Sequence, residues 1–338
     1  MNGFEFVPAR SLDEALAAGS APGAVYLAGG TNLVDLMKAG VARPERVVHI
    51  GRLEGLDRIE TLPDGGVRIG ALVRNADLAE HSGRYPLVAE ATLSGASAQL
   101  RNAATLGGNI MQRPRCAYFF DPASACNKRT PSAGCDMIGG EARGAAILGA
   151  SPSCVATHPS DLAVALVALD AVVEIAGPSG RREVALDAFY RLPGDAPQRE
   201  TELGGGELIL AVRLPAPEFA GHSRYVKARD RVSFAFALAS AAAALRLEGG
   251  VIVEARLALG GVAPKPWRAR EAEAALKGAK PSDEAFAEAA ALALAGATPV
   301  GDNAFKIELA RRVAARALKL AAAGTRLAAL PASPFGAA

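Results

Sequence analysis

The chain has 338 residues, half of them hydrophobic and 21% charged, with a formal net charge of +2. That is room for more than one hydrophobic core in an ordinary globular composition, and the near-neutral balance gives no basis for nucleic acid or an anionic membrane as partner. No basic start followed by an apolar run opens the chain, and the longest apolar stretch, 234–245, falls well short of the ~20 residues of a membrane span, so neither a signal peptide nor a membrane span is expected.

Ser11-Leu12-Asp13-Glu14 is a capping box that opens a helix over Leu12 to Ala18. Pro22-Gly23 breaks it, and Ala24 to Ala28 reads as a short strand. Thr31 is expected to cap a second helix through Met37-Lys38, closed by Gly40, before a strand at Arg46–Ile50. So compact a strand–helix–strand run predicts parallel pairing. Gly65-Gly66 between Ile59–Leu62 and Val67–Leu72 predicts a hairpin, followed by helices over Asn75–Glu80 and Leu87–Leu100. Asp161–Leu169 reads as helix, with strands at Ala171–Ala176 and Glu207–Leu214. Two prolines and a glycine within Pro215–Gly221 mark the best domain boundary. Beyond it come a strand at Arg224–Lys227, a hairpin joining Ala242–Leu245 to Ile252–Leu259, and two Ala-rich helices near Ser282–Gly296 and Phe305–Ala323. The small-residue tail after Leu330 is expected to be disordered.

Two glycine turns stand out. Ala28-Gly29-Gly30-Thr31-Asn32-Leu33 lies between a strand and a helix, and Ala104-Thr105-Leu106-Gly107-Gly108-Asn109 follows a helix. Glycines admit close backbone approach to a ligand, helix starts offer N–H groups to an anion, and Thr and Asn add donors. Paired, such turns suit the two phosphates of a dinucleotide; singly, each reads equally as an ordinary tight turn. The G-x-G-x-x-G and P-loop patterns are absent.

All four cysteines, Cys116, Cys126, Cys135 and Cys154, fall just after the second turn, in a stretch interrupted by Pro114, Pro122, Pro131 and Gly134. This reads as the ligand set of a metal centre. Disulfides are uncommon in cytosolic chains of this size, and no interval is the short Cys-x-x-Cys pair of zinc ribbons. Arg113, Arg115, Lys128 and Arg129 flank the thiols, where positive charge is expected to depress thiol pKa values and stabilise an anionic cluster. His49, His81, His158 and His222 are scattered and read as structural.

The two glycine turns resemble the paired FAD-binding motifs of the flavin subunit of molybdenum hydroxylases, the family of xanthine dehydrogenase, aldehyde oxidoreductases, carbon monoxide dehydrogenase and 4-hydroxybenzoyl-CoA reductase. The likeness continues in Pro159-Ser160-Asp161-Leu162, Gly206-Glu207-Leu208-Ile209, Tyr225-Val226-Lys227-Ala228-Arg229 and Gly260-Gly261-Val262-Ala263-Pro264-Lys265-Pro266. It implies an α+β class: a vanillyl-oxidase-like (PCMH-type) FAD-binding fold of two α/β subdomains, then a C-terminal α+β domain with a small antiparallel sheet and helices. The expected units are 1–55, 56–218 with an insertion at 111–157, 219–325, and a tail at 326–338. The resemblance implies that Val25, Tyr26, Leu27, Ala28, Gly29, Gly30, Thr31, Asn32 and Leu33 wrap the FAD pyrophosphate, with Thr105, Gly108 and Asn109 acting from the second turn. Asp161 would bind polar groups of the cofactor, Ile209 would pack near its ring system, and Lys227 would sit at the flavin's polar edge, where reduced flavin carries negative charge. Read without the resemblance, Asp161 is a helix cap and Lys227 a solvated strand lysine.

The cysteine insertion is similar to that of the flavin subunit of bacterial aldehyde oxidoreductases of the periplasmic type, which implies a [4Fe–4S] cluster on Cys116, Cys126, Cys135 and Cys154. The implied role is an FAD- and [4Fe–4S]-containing electron-transfer subunit of a heterotrimeric enzyme that oxidises aldehydes. Its partners would be a large molybdenum-cofactor subunit, a small [2Fe–2S] subunit and an external electron acceptor. Cofactor ligands are expected, and no acid–base catalyst. Localisation would be cytoplasmic, or periplasmic if a partner carries a twin-arginine signal. Two alternatives stand: a self-sufficient FAD reductase or oxidase on the same fold, and a zinc-stabilised scaffold without flavin.

Overall fold

The computed structural model describes residues 1–325, so the expectation for the tail, 326–338, lies outside the described residues. The chain opens with β1 (Glu5–Pro8), α1 (Leu12–Gly19), β2 (Ala24–Leu27), α2 (Leu33–Lys38) and β3 (Arg46–His49). Half of the expected capping box forms at α1: the Ser11 hydroxyl accepts from the Glu14 N–H, while the Glu14 carboxylate accepts from the Arg10 N–H and not from that of Ser11. The three strands make a parallel sheet in the order β1-β3-β2. The parallel pairing agrees with the sequence; β1 was not foreseen, being four residues long, ended by a proline and mostly exposed. Tyr26 and Val48 pack with Leu12 and Leu16 of α1 into a core that also takes in Leu208 and Leu210.

The second sheet is antiparallel, in the order β4-β5-β8-β6-β7, from β4 (Ile59–Thr61), β5 (Val67–Gly70), β6 (Val172–Gly177), β7 (Gly180–Ala185) and β8 (Leu208–Leu214). Between β5 and β6 run α3 (Asn75–His81), α4 (Pro86–Ser94), α5 (Ala98–Ala103), α6 (Leu106–Ile110), α7 (Ala117–Phe120) and α8 (Asp161–Ala168), while α9 (Leu186–Phe189) follows β7. The single helix expected over 87–100 is two. Ala96 adopts φ +54 after Gly95, and Ser97 caps α5 through the Leu100 N–H. Every residue of α8 is buried, which its apolar run DLAVALVA permits all round.

The third sheet is antiparallel, in the order β12-β11-β10-β9, from β9 (Ser223–Ala228), β10 (Ala239–Glu248), β11 (Val251–Gly260) and β12 (Trp267–Arg268). Alanine favours helix, yet Ala239–Ala244 is a central strand buried on both faces. Ala242 and Ala244 face the core shared with α4 and α8, while Ala239, Ala241 and Ala243 face α10 (Arg270–Leu276), α11 (Asp283–Ala293) and α12 (Phe305–Ala322). Small side chains let helices approach both faces of the sheet, and that burial overrides the local propensity. From α12, Lys306 sends its ammonium to the carbonyl oxygens of Ala145 at 2.8 Å and Gly261 at 2.7 Å, fastening the end of the cysteine insertion to this sheet.

Candidate functional site

After β2 the chain turns through Ala28, Gly29, Gly30, Thr31 and Asn32 into α2. Gly30 has φ +75, a region costly for any residue with a Cβ. Gly29 is constrained by closeness instead: a Cβ built on it would lie 1.8 Å from the Ala103 carbonyl oxygen. That carbonyl closes α5, immediately before Ala104 and Thr105 open the second turn. Thr105 caps α6, its hydroxyl accepting from the Gly108 N–H at 3.3 Å. Backbone bonds from Asn75 to Ala104, Leu106 to Val73 and Gly107 to Ala71 pin this turn beyond the end of β5.

The structure thus brings the two turns into contact. Asn32 ties the first turn to the start of the cysteine insertion, its Oδ1 accepting from the Arg113 N–H at 3.1 Å while its Nδ2 is buried without a partner. The cap of α2 is Asn32 and not the expected Thr31, and it makes no side-chain capping bond. Val25 and Leu27 are half-buried on β2, and Leu33 begins α2. Tyr26 donates its hydroxyl to the Gly206 carbonyl at 3.0 Å and packs with Ala28 into the core below. Gly29→Ala is expected to cost about 1–3 kcal/mol, because the intruded atom is backbone and cannot swing aside. If the turns hold the FAD that the resemblance implies, it is also expected to weaken FAD binding at least tenfold; titration of the deflavinated variant with FAD checks this, and wild-type affinity would show that the contact between the turns is dispensable.

Asp161 opens α8, whose cap is Ser160: the Ser160 hydroxyl accepts from the Ala163 N–H and bonds Asn109 Oδ1 at 2.5 Å, linking α8 to the second turn. The Asp161 carboxylate accepts from the Tyr225 hydroxyl and from the Lys227 ammonium, both at 2.7 Å. Lys227 also donates to the Ser94 carbonyl at 3.0 Å. Lys227 is therefore no solvated lysine: its side chain is 4% exposed and that of Asp161 7%. Burial and the Asp161 charge push the Tyr225 phenol well up from its ordinary value. Sequence reasoning missed Tyr225, although its spacing of two from Lys227 puts both on one face of β9. Ile209 is buried in the main core with Leu106 and Ile110, beneath the second turn. Asp161 and Ser160 line a groove of about 420 Å³, whose other walls include Arg115, Tyr118, Phe236 and Ser240. A separate cavity of about 280 Å³, under the 215–220 segment, contains none of the expected cofactor or metal ligands.

The insertion is held by polar bonds more than by a core of its own. Asn127 exchanges bonds with Gly134 through backbone and side chain and reaches the Ser153 carbonyl, and Arg129 gathers the carbonyls of Tyr118 and Phe119. Cys126 and Cys135 pair as an isolated antiparallel bridge. The four thiols are free, and all four line one small cavity with Phe119, Met137 and Lys128. Among the described residues no group of three or more His, Cys, Asp or Glu is disposed to hold a single metal ion. Cys116, Tyr118, Met137 and Ala156 belong to both this cavity and the groove at Asp161.

On the other side, Leu36 of α2 packs against Phe119 and Cys126, so α2 joins the first glycine turn to the cysteines. The expected depression of the thiols is not found where a shift is resolved: burial pushes Cys116 and Cys154 up, and at Cys154 the Lys128 charge only opposes this. Arg113 and Arg115 stack on Phe119 and Phe120. Of the histidines, His49 stacks on Phe6, while burial holds His158 neutral, with its pKa lowered to about 4.

The family of the FAD binding domain in molybdopterin dehydrogenase matches residues 2–217. The chain belongs to this family. The CO dehydrogenase flavoprotein C-terminal domain matches residues 224–321, so both parts of a molybdenum hydroxylase flavin subunit are present, in the α+β class expected. The chain is 48% identical to the aldehyde oxidoreductase FAD-binding subunit PaoB of Escherichia coli (strain K12), over 90% of this chain and 94% of that protein. It is 30% identical to the glyceraldehyde dehydrogenase medium chain of Sulfolobus acidocaldarius, over 89% of this chain and 90% of the relative. In fold it matches a chain of the reconstituted CO dehydrogenase from Oligotropha carboxidovorans with a TM-score of 0.76 at 27% identity, covering 96% of this chain and 99% of that one. As a flavin subunit of this family the chain is an oxidoreductase component, and no helix among its described residues is long and apolar enough to cross a membrane.

Proposed function

We propose that the chain is the FAD- and [4Fe–4S]-containing electron-transfer subunit of a heterotrimeric molybdenum-dependent aldehyde oxidoreductase. It would receive electrons from a large molybdenum-cofactor subunit and a small [2Fe–2S] subunit and deliver them to an external acceptor. The observation that carries this reading is the convergence of all four thiols on one cavity that shares a wall with the groove at Asp161. The identity to a protein named as an aldehyde oxidoreductase FAD-binding subunit supports the substrate class. We also propose 1–55, 56–218 with the insertion 111–157, and 219–325 as the units of the chain.

The residues fit both groups. The orphaned Asn32 Nδ2, on the first turn, is a buried donor that a phosphate oxygen would satisfy. Gly29, Gly30 and Asn32, with Thr105, Gly108 and Asn109, would hold the pyrophosphate. Asp161, fixed by Tyr225 and Lys227, would present its carboxylate at the groove. Four thiolates are the usual ligand set of a [4Fe–4S] cluster, and Cys116, Cys126, Cys135 and Cys154 would hold one. Such a guest is bonded to sulfur at about 2.3 Å, a typical metal–thiolate distance, so it needs far less free space than a molecule packed at van der Waals contact. When bound, FAD supplies a carrier that exchanges electrons singly or in pairs, and the cluster one that exchanges them singly.

Anaerobic purification with assay of flavin, iron and acid-labile sulfide tests the reading. One FAD with about four irons and four sulfides per chain is expected. FAD without sulfide would remove the cluster from the proposal, and folded protein with neither would remove the whole of it.

A further inference from the structure

Lys128 is the one charged residue among those lining the cysteine cavity, and its side chain is 7% exposed. Its ammonium donates to Glu200 Oε1 at 2.8 Å and to the Pro197 carbonyl at 2.7 Å. The other oxygen of Glu200 accepts from Arg113 Nε at 2.6 Å, and Arg113 stacks over Phe119, itself part of the cavity wall. Glu200 lies outside the insertion, held by the bond from the Arg191 N–H to its carbonyl. Two cations and one carboxylate thus adjoin the cavity on the side of Cys126 and Cys154, with a net charge of +1. Burying a lysine costs free energy, and fastening a loop does not require it: a neutral donor would satisfy Pro197 equally. What the ammonium adds is its field inside a poorly solvated cavity.

We infer that the Lys128–Glu200 pair sets the reduction potential of the centre held by the four cysteines. The inference rests on the cluster reading above. Reduction brings one electron, and hence one negative charge, to the cluster; in a titration the electron comes from dithionite through mediators. A fixed positive charge nearby favours the reduced form and a fixed negative charge opposes it. The pair therefore acts with opposite signs: Lys128 raises the potential, and Glu200 holds part of that effect back. At an effective dielectric of about 20, a unit charge within roughly 10 Å changes the equilibrium on the order of tenfold.

The test is a potentiometric titration of the cluster in the purified holoprotein, read by electron paramagnetic resonance, for wild type, Lys128→Met, Lys128→Arg and Glu200→Gln. Lys128→Met is expected to lower the potential by about tenfold in the equilibrium, 59 mV for a one-electron couple, and Glu200→Gln to raise it, with Lys128→Arg close to wild type. A packing role moves no potential in opposite directions. Shifts of the same sign, or none, in variants that keep the cluster would overturn the inference while leaving the cluster reading intact. Loss of the cluster from both charge-changing variants would reassign the pair to folding the loop and overturn it too. A wild-type protein without iron and sulfide would instead overturn the reading on which the inference stands.

Discussion

Cys126→Ser is expected to abolish binding of the proposed iron–sulfur cluster and to loosen the whole of residues 112–157. Cys126 is buried among contacts of its own: it packs between Leu36 of α2 and Phe119, and its backbone pairs with Cys135 and accepts from the Thr130 N–H. A serine oxygen is a poor ligand for iron in a site built of thiolates, and buried beside Leu36 and Phe119 it has no evident hydrogen-bond partner, a cost of roughly 1–3 kcal/mol. The second effect follows from composition. The insertion has one short helix and a cluster of only a few buried apolar residues, Met137, Ala142, Ala145 and Val155, so a bound centre would supply much of its order. Because α2 leans on this segment, flavin occupancy is expected to fall as well, by a smaller factor. Iron, sulfide and flavin assays with amide exchange over 112–157 check all three. A full complement of iron and sulfide in this variant would sink the assignment of Cys126.

Much of this arrangement was legible because local signals and tertiary contacts agree. The Ser11 cap, the hairpin at Gly65-Gly66 and the two glycine turns are each written within a few residues, and each appears where the spacing predicts. The hairpin strand at Ala242–Leu245 also agrees with the sequence; what was not expected is its start at Ala239, where burial between two layers of helices overrides the helical propensity of alanine. The failures have physical causes. The thiol expectation counted positive neighbours in the sequence, but the thiols fold into a buried cavity, and desolvation dominates at Cys116 and Cys154. Glu200 is invisible from sequence because its partners, Arg113 and Lys128, are far away along the chain. Contacts of that kind exist only once the sheet has closed.

Asp161→Ala is expected to be among the most destabilising single changes in the chain, about 3–5 kcal/mol, because it leaves the Lys227 ammonium buried without its counter-charge and the Tyr225 hydroxyl without its acceptor. Thermal or denaturant unfolding measures this, and a loss below about 1 kcal/mol would show that water enters and replaces the carboxylate. Such a loss alone does not separate a structural aspartate from one that binds a cofactor. Adding Lys227→Met does, since removing both charges from a buried pair recovers much of the stability lost on removing one. If Asp161 serves packing alone, the double variant regains FAD together with its fold. If the pair meets the cofactor, through the Asp161 carboxylate at the groove or the Lys227 ammonium beside it, stability returns and flavin does not. The double variant thus separates holding α8 to β9 from the proposed contact of this pair with the flavin, by measuring both in the same protein.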